Sequence, residues 1–322
     1  MRMFKYVLKR IGLMMVVFTI IMTICFVLIK LLPVSYEAQT GTQAQIEAAR
    51  REALGYNKPI IVQYGIYLKN ILTKWDWGTS WKIEYMKNVG TVISSRLVPT
   101  LLINVYSILF SVPFGILLGI LAALKKNKWQ DHLISTGVMV CISVPSYVFA
   151  FILQYFVAYK WGLLPIVLHS LRDAGNSWFT WEMFKSMVLP VLALSFNTIA
   201  SLARFTRAEL TESLTSEYML LARTKGLTRR QATVRHALKN AMVPILPTII
   251  SLFVGILSGS MVIEQIFSVN GIGQLILKAI TLRDYEVFMA CSMFYTIIGL
   301  SGTIIVDLSY GFLDPRIRMG EK

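Results

Sequence analysis

An all-α integral membrane protein with six transmembrane helices is the fold class this sequence predicts, and three observations carry the prediction. The 322 residues are 55% hydrophobic and only 15% charged, and the mean hydropathy is +0.60, more apolar surface than a soluble core of this length requires. Six apolar runs recur, each near the ~20 residues that cross a hydrocarbon core as helix. The net charge of +15 lies largely outside those runs, as in the cationic cytoplasmic loops of a membrane protein. In a soluble chain the same charge would suggest nucleic acid.

The first element follows MRMFKYVLKR, which holds four cations, and runs through IGLMMVVFTIIMTICFVLI, residues 11–29. It is longer than a signal-peptide core and no small-x-small cleavage site follows, so it reads as an uncleaved span. Lys30 snorkels at its outer end. In the next segment, TQAQ at 42–45 is a capping-box pattern whose helix should end near Gly55, a C′ residue. NKP at 57–59 opens a second amphipathic helix, IIVQYGIYLKNIL. WDWGTSW then places Trp75, Trp77 and Trp81 where an interfacial aromatic belt would sit. The segment suits either a docking ledge for an external partner or a solvated cover over helix ends.

Five further spans are expected at 101–124, 133–158, 187–203, 242–263 and 287–306, the fourth span of the six being the shortest. Their cores hold no charge, which unpaired would cost about 2.5–3.5 kcal/mol. Glu264 and Asp307 fall just beyond the ends of the fifth and sixth. Pro113, Pro145, Pro190, Pro244 and Pro247 lie within or at the edges of spans. Each removes a helix hydrogen bond that neighbours must replace, which favours a moving assembly over a rigid anchor. Gly115 with Gly119, and Gly255 with Gly259, form GxxxG pairs. These either let helices approach closely or arise by chance where glycine is common. Cys25, Cys141 and Cys291 sit in apolar runs without a CxxC pair and read as small buried hydrophobes.

With the N-terminus inside, the inner pieces 1–10, 125–131, 204–241 and 312–322 hold four, three, eight and three Lys or Arg. Setting aside the long segment 33–96, whose charges count little, the comparison is 18 inside against five outside. Both termini are therefore expected in the cytoplasm.

Catalytic patterns are missing. No GxxxxGK[ST] offers a phosphate cradle, no HExxH or paired metal-ligand spacing occurs, and His132, His169 and His236 are far apart. GIG at 271–273 lacks a third glycine. Glu209 and Glu212 suit a solvated helix face. The residues thus argue against an enzyme and a metal site, and midplane charges that would mark an ion-driven carrier are absent. A movement of solute would draw its energy from another chain.

The segment 204–241 has internal order. Leu210, Leu214, Tyr218 and Leu221 recur at helical spacing, and Gly226 after Lys225 suits the left-handed position that stops a helix. Thr228 with Gln231 forms a capping box, and Val234, Leu238, Ala241 and Ile245 carry an apolar stripe into the fifth span. ARTKGLTRRQATVRHALKNA, residues 222–241, holds six cations and no acid. A topology anchor or a lipid patch explains the charge but not the capped turn. Nucleic acid lacks aromatics to stack on. A knob that receives force from a soluble partner explains both features and stands beside the anchor reading.

Here the residues resemble a family. Glu217, Tyr218, Ala222, Arg223, Lys225, Gly226 and Leu227 spell E-Y-x-x-x-A-R-x-K-G-L, which looks like the cytoplasmic EAA loop of bacterial ABC importer permeases. H-A-L-x-N-A from His236 through Asn240 to Ala241, with Pro244 after it, is similar to the peptide and nickel branch. LGYNKPIIVQY (54–64), RLVPTL (96–101), EQIFSVNGIGQLILKAITLRDY (264–285) and DPRIR (314–318) agree in order along the chain. The resemblance implies a type I ABC importer permease fold with an extracytoplasmic insertion after the first helix, as in the oligopeptide/dipeptide B-type permease subunit. The expected division is 1–32 for tail and first helix, 33–95 for the insertion, 96–311 for the transmembrane domain and 312–322 for the cytoplasmic tail.

The implied partners are a homologous second permease, two ABC ATPase subunits that use ATP and Mg, an extracytoplasmic substrate-binding protein and membrane lipid, with no nucleic acid. This chain itself binds no cofactor on that reading. The turn at Gly226 and the helix from Thr228, with Arg229 and Arg230, become the coupling helix seated on the ATPase. The family's glutamate six residues before the glycine is Leu220 here, so its role does not pass to Glu217; after the first span LLPVSYEA stands where relatives often show a Pro-Gly-Asp-Pro-like turn. Peptides are the implied cargo, with nickel, other metal chelates and opines as family alternatives. An ATP-independent channel or carrier, lined by Asn104, Asn197 and Thr198, and a membrane scaffold that moves nothing, are the rivals.

Overall fold

The structure is a computed structural model that describes residues 2–32, 41–258 and 260–313. Among these residues every regular element is helical, apart from one isolated bridge between Thr79 and Asn88. Five helices are long and apolar enough to cross a membrane, or six if one bent pair counts as a single span. The expectations on LLPVSYEA beyond Leu32, on Gly259 and on DPRIR lie outside the described residues.

The chain divides into two compact units, one from residues up to Val98 with Leu275–Ser301, the other from Pro99–Gln274 and residues from Gly302 onward. In the first, α1 (Arg2–Leu31) is apolar on all sides and leaves Leu13, Val16 and Leu28 more than half exposed, a surface suited to lipid or a partner. α2 (Thr42–Ala53) stops at Gly55, which has φ +74°. The N–H groups of Gly55 and Tyr56 return to the carbonyls of Glu52 and Arg51, the paired bonds that satisfy a helix C-terminus. α3 (Ile60–Lys74) follows Pro59 and packs Ile71, Tyr64 and Tyr67 on Met22 and Phe26 of α1 and on Met289 and Met293. Of the three tryptophans expected in an aromatic belt, only Trp75 is exposed. Trp77 joins this core, and Arg51 lies 5.6 Å from the ring centre of Trp81.

Two carboxylates knit the WDWGTSW segment to residues some 200 positions away. Asp284 Oδ2 accepts from Ser80 Oγ at 2.7 Å and from the N–H groups of Trp81, Lys82 and Ile83 at 3.1, 2.9 and 3.1 Å. Glu286 accepts from the Thr79 N–H at 2.5 Å and from the Tyr56 hydroxyl.

The remaining helices are α4 (Val89–Leu124), α5 (Trp129–Ser143), α6 (Ser146–Leu153), α7 (Trp181–Leu214), α8 (Glu217–Thr224), α9 (Arg229–Ala232), α10 (Leu238–Val254), α11 (Met261–Ile266), α12 (Ile272–Thr281) and α13 (Tyr285–Leu313). Three of the expected runs differ in course or extent from a single apolar segment. The run 133–158 is not one straight helix, because α5 and the helix from Ser146 to Lys160 meet at 99°. Pro145 has no N–H and pushes Val144 out of helical geometry, to φ −93°, ψ 125°. The run 242–263 ends at Val254, tightens into a 3-10 turn at Gly255–Ser258 and restarts as α11. The run 187–203 is the centre of a 34-residue helix, since its polar flanks continue the helix beyond the apolar stretch. Its start is capped by Thr180, whose hydroxyl accepts from the Met183 N–H at 3.3 Å.

α4 and α7 approach through small residues. A Cβ on Gly115 would stand 2.7 Å from Leu202 and 3.0 Å from the Ile199 carbonyl oxygen, and one on Gly119 would stand 2.7 Å from the Ala203 carbonyl oxygen. Gly255 faces open space. α5 and α7 are joined by a bidentate pair, Arg207 to Asp131, at 2.5 and 2.7 Å; Asp131 also accepts from the Asn127 N–H at 2.9 Å. A buried carboxylate with that many donors is the arrangement in which a low-dielectric ion pair survives its desolvation.

Candidate functional site

The segment from α7 to α10 is built from local rules. Ser216 precedes α8 as its N-cap residue and Glu217 occupies the first turn, where a negative charge meets the positive helix end. α8 stops at Lys225, and Gly226 has φ +88°. The Gly226 N–H donates to the Arg223 carbonyl at 3.0 Å and the Leu227 N–H to the Ala222 carbonyl at 3.3 Å, a complete Schellman closure. Thr228 then opens α9. Its Oγ1 accepts from the Gln231 N–H at 3.3 Å while Gln231 Oε1 accepts from the Thr228 N–H at 3.0 Å, a full capping box. α9 passes through a π turn, Thr233–Ala237, into α10. The capped turn between two helices is thus present residue by residue.

Below the turn, Leu210, Met219, Ala222, Ala232, Ala237 and Ala241 are buried together, with Leu214, Leu227 and Leu238 packed on them. This corrects part of the expected stripe. Met219 and Ala222 face the core, while Tyr218 and Leu221 are 36% and 55% exposed. Alanines set this pattern: three of them in α9 to α10 leave room for α8 to sit close, and the close seat rotates its larger side chains outward. Tyr218 keeps an anchoring role through its hydroxyl, which is hydrogen-bonded to Ser213 and Asn240. Ser213 in turn donates to the Ala237 carbonyl at 2.7 Å. A repeat of apolar spacing cannot reveal Ser213, because the knot depends on residues 24 apart in sequence.

The outer surface of the segment combines two features. Leu220, Leu221 and Val234 are 67%, 55% and 57% exposed. Arg223, Lys225, Arg229, Arg230, Arg235 and His236 are exposed around them in sequence. The capped turn thus presents bare leucines amid cations. It can be a contact surface, as exposed apolar clusters with polar rims generally are.

A second arrangement was not legible in the sequence. Glu264, expected just beyond the end of the fifth span, is 3% exposed. Its Oε1 accepts from Thr100 Oγ1 at 2.9 Å and its Oε2 from the Gln274 N–H at 2.9 Å; Thr100 Oγ1 accepts from the Ile272 N–H at 2.9 Å. The carboxyl therefore closes the loop that leads into α12 at the helix's positive end. Burial pushes its pKa above the usual carboxylate range, and the hydrogen bonds from Gln274 and Thr100 pull it back. Among the described residues no group of three His, Cys, Asp or Glu is placed to hold a metal.

Comparison with known proteins is consistent along the whole chain. Residues 115–319 match the family described as binding-protein-dependent transport system inner membrane component. Residues 3–87 match the N-terminal family of the same membrane component. The dipeptide transport system permease protein DppB of Bacillus subtilis is 33% identical over 319 residues, covering 99% of both chains. The glutathione transport system permease protein GsiC of Salmonella typhimurium is 31% identical over 319 residues, covering 98% of this chain and 99% of the relative. Among solved structures, an amino acid ABC transporter crystallised with histidines aligns with a TM-score of 0.52 at 20% identity, over 69% of this chain and 94% of that one; that likeness is one of fold.

Proposed function

Because this chain belongs to the family of binding-protein-dependent transport system inner membrane components, we propose that it forms one half of the translocation pathway of an ATP-driven importer of peptides. The cargo reading is supported by relatives named for dipeptide and glutathione transport. A homologous second permease completes the pathway, two ABC ATPases beneath it consume ATP and Mg, and an extracytoplasmic binding protein delivers the peptide. Both termini lie in the cytoplasm, in keeping with the 18 inner cations set against five outer ones.

The observation that carries the mechanism is the capped turn with exposed Leu220, Leu221 and Val234. ATP binding draws the ATPases together, and the Gly226–Thr228 turn moves with them as a rigid lever. The lever is rigid because both helix ends are closed by hydrogen bonds and because Met219 and Ala222 are buried beneath it. The displacement passes into α10, which continues from the lever, and into α7, which is tied to it through Ser213. The membrane helices then exchange two packings, inward-open and outward-open. Peptide contributes only in so far as it binds these states differently.

The test is substitution of the exposed apolar surface. Val234→Asp in the complete importer is expected to lower ATPase co-purification and peptide uptake at least tenfold, with unchanged thermal unfolding. Full uptake would overturn the assignment. The ligand released from the isolated binding protein, identified by mass spectrometry, checks the cargo independently.

A further inference from the structure

We propose that α3 is seated in the membrane and not above it, with an exposed apolar stripe packed on lipid acyl chains in the leaflet at the C-terminal end of α1. Depth carries the inference. Thr23 of α1 donates to the Thr19 carbonyl at 2.7 Å, so the Tyr64 hydroxyl of α3 is the donor in the 2.7 Å bond that joins it to Thr23 Oγ1. The Phe26 ring centre lies 5.1 and 5.2 Å from those of Tyr64 and Tyr67. Thr23 stands six residues before Ile29, the last of the apolar run, which is about 9 Å along the helix axis. Met293, in the same packed cluster as Ile71, is eight residues into α13 from Tyr285. Hydroxyls paired with each other and with a carbonyl make this contact viable away from water.

The faces of α3 match that depth. Ile60, Tyr64, Tyr67 and Ile71 share one side of the helix and pack with residues of α1 and α13. Beside them on the helix surface run Ile61, Leu68 and Leu72, of which Ile61 and Leu72 are 81% and 82% exposed. Lys69 and Thr73 come next, and the helix holds two lysines and no acid. The apolar arc is therefore wider than the protein covers. Its bare part borders a lysine whose stem can lie along acyl chains while the ammonium reaches the headgroups. α1 leaves Ile20, Ile24 and Leu28 exposed at the same level. At the C-terminal end of α3, Trp75 is 72% exposed next to Lys74, an amphipathic ring suited to the headgroup boundary.

Lipid is the occupant this arrangement favours. A solvated cover over the helix ends would set Ile61 and Leu72 in water, where bare aliphatic surface is unfavourable. A soluble partner docks above the ends of the spans and does not reach a helix held about 9 Å below the end of the apolar run. Acyl chains fill that level and need no shape complementarity from the stripe. The remaining occupant, another membrane subunit, gives a different result in the test.

The test uses the full chain, purified with the subunits that accompany it, in phosphatidylcholine nanodiscs. Trp75 emission is taken as the difference between the unaltered protein and Trp75→Phe, and phosphatidylcholine brominated on its acyl chains is the quencher. Loss of at least half of that difference is expected; an undiminished difference would overturn the proposal. In a second measurement Cys25, Cys141 and Cys291 are replaced by Ala, and a nitroxide is attached at Ile61→Cys, Leu72→Cys or Thr73→Cys. The ratio of collisions with oxygen to collisions with a water-soluble nickel chelate should be at least threefold higher at 61 and 72 than at 73. Equal ratios would place the stripe in water. Shielding of 61 and 72 from both reagents would place a protein subunit over it. Either result would overturn the lipid assignment, and neither bears on the cargo.

Discussion

Gly226 holds φ +88° with nothing within 4 Å of where a Cβ would stand, so only backbone conformation opposes a side chain there. Gly226→Val should cost about 1–2 kcal/mol in the turn. It should reduce coupled uptake several-fold while leaving membrane insertion intact, measured by transport and by expression level. Asp284 is the opposite case, a residue important through its partners. Asp284→Ala strands four donors of the 80–83 segment. A loss of about 3 kcal/mol is expected, read as a lowered unfolding temperature. Glu84 supplies a pH dependence. Hydrogen bonds from Lys87 and Arg96 hold its carboxyl below the usual range. Its stabilisation is therefore present above the unfolded value near 4.5 and lost as pH falls through the lowered folded value. Because the pair is partly solvated, the loss should stay under about 1 kcal/mol, and Glu84→Gln should abolish that part of the acid transition. Gly226, Thr228 and Gln231 were legible in the sequence because their bonds are local. Asp284, Glu264 and Ser213 were not, since a carboxylate or hydroxyl gains its partners from distant turns of chain.

At the scale of elements, Gly119 and Gly255 differ. A methyl on Gly119 would stand 2.7 Å from the Ala203 carbonyl oxygen, whereas Gly255 has no neighbour within 4 Å. Gly119→Ala should therefore force α4 from α7 and lower the unfolding temperature by several degrees. Gly255→Ala, at φ −68°, should shift it little or raise it, the comparison being made by thermal unfolding in detergent. Two glycines of similar sequence setting carry different weight because a small residue matters only where another helix arrives. Proline behaves similarly. Pro113, Pro190, Pro244 and Pro247 lie inside continuous helices, while Pro145 stands at a 99° break. The hydrophobic run alone reads both situations as one span.

At the scale of the molecule, no GxxxxGK[ST] occurs in the sequence, and the capped turn proposed as the lever carries exposed Leu220, Leu221 and Val234. On the proposed function, transport should vanish when partner ATPases are withheld, and the purified chain should hydrolyse no ATP; uphill uptake by the chain alone would refute the proposed division of labour. Membrane character, the number of apolar runs, the capped turn and the family pattern followed from the sequence by itself. Hydropathy is a sum over residues, and capping is a contact between near neighbours, so neither needs the fold to be known. The bend at Pro145, the clasp of Asp284 and Glu286 on the tryptophan segment and the burial of Glu264 were decided only by tertiary structure. Each depends on which distant groups meet in a low-dielectric interior, where an unpaired polar atom is costly and a paired one holds the chain in place.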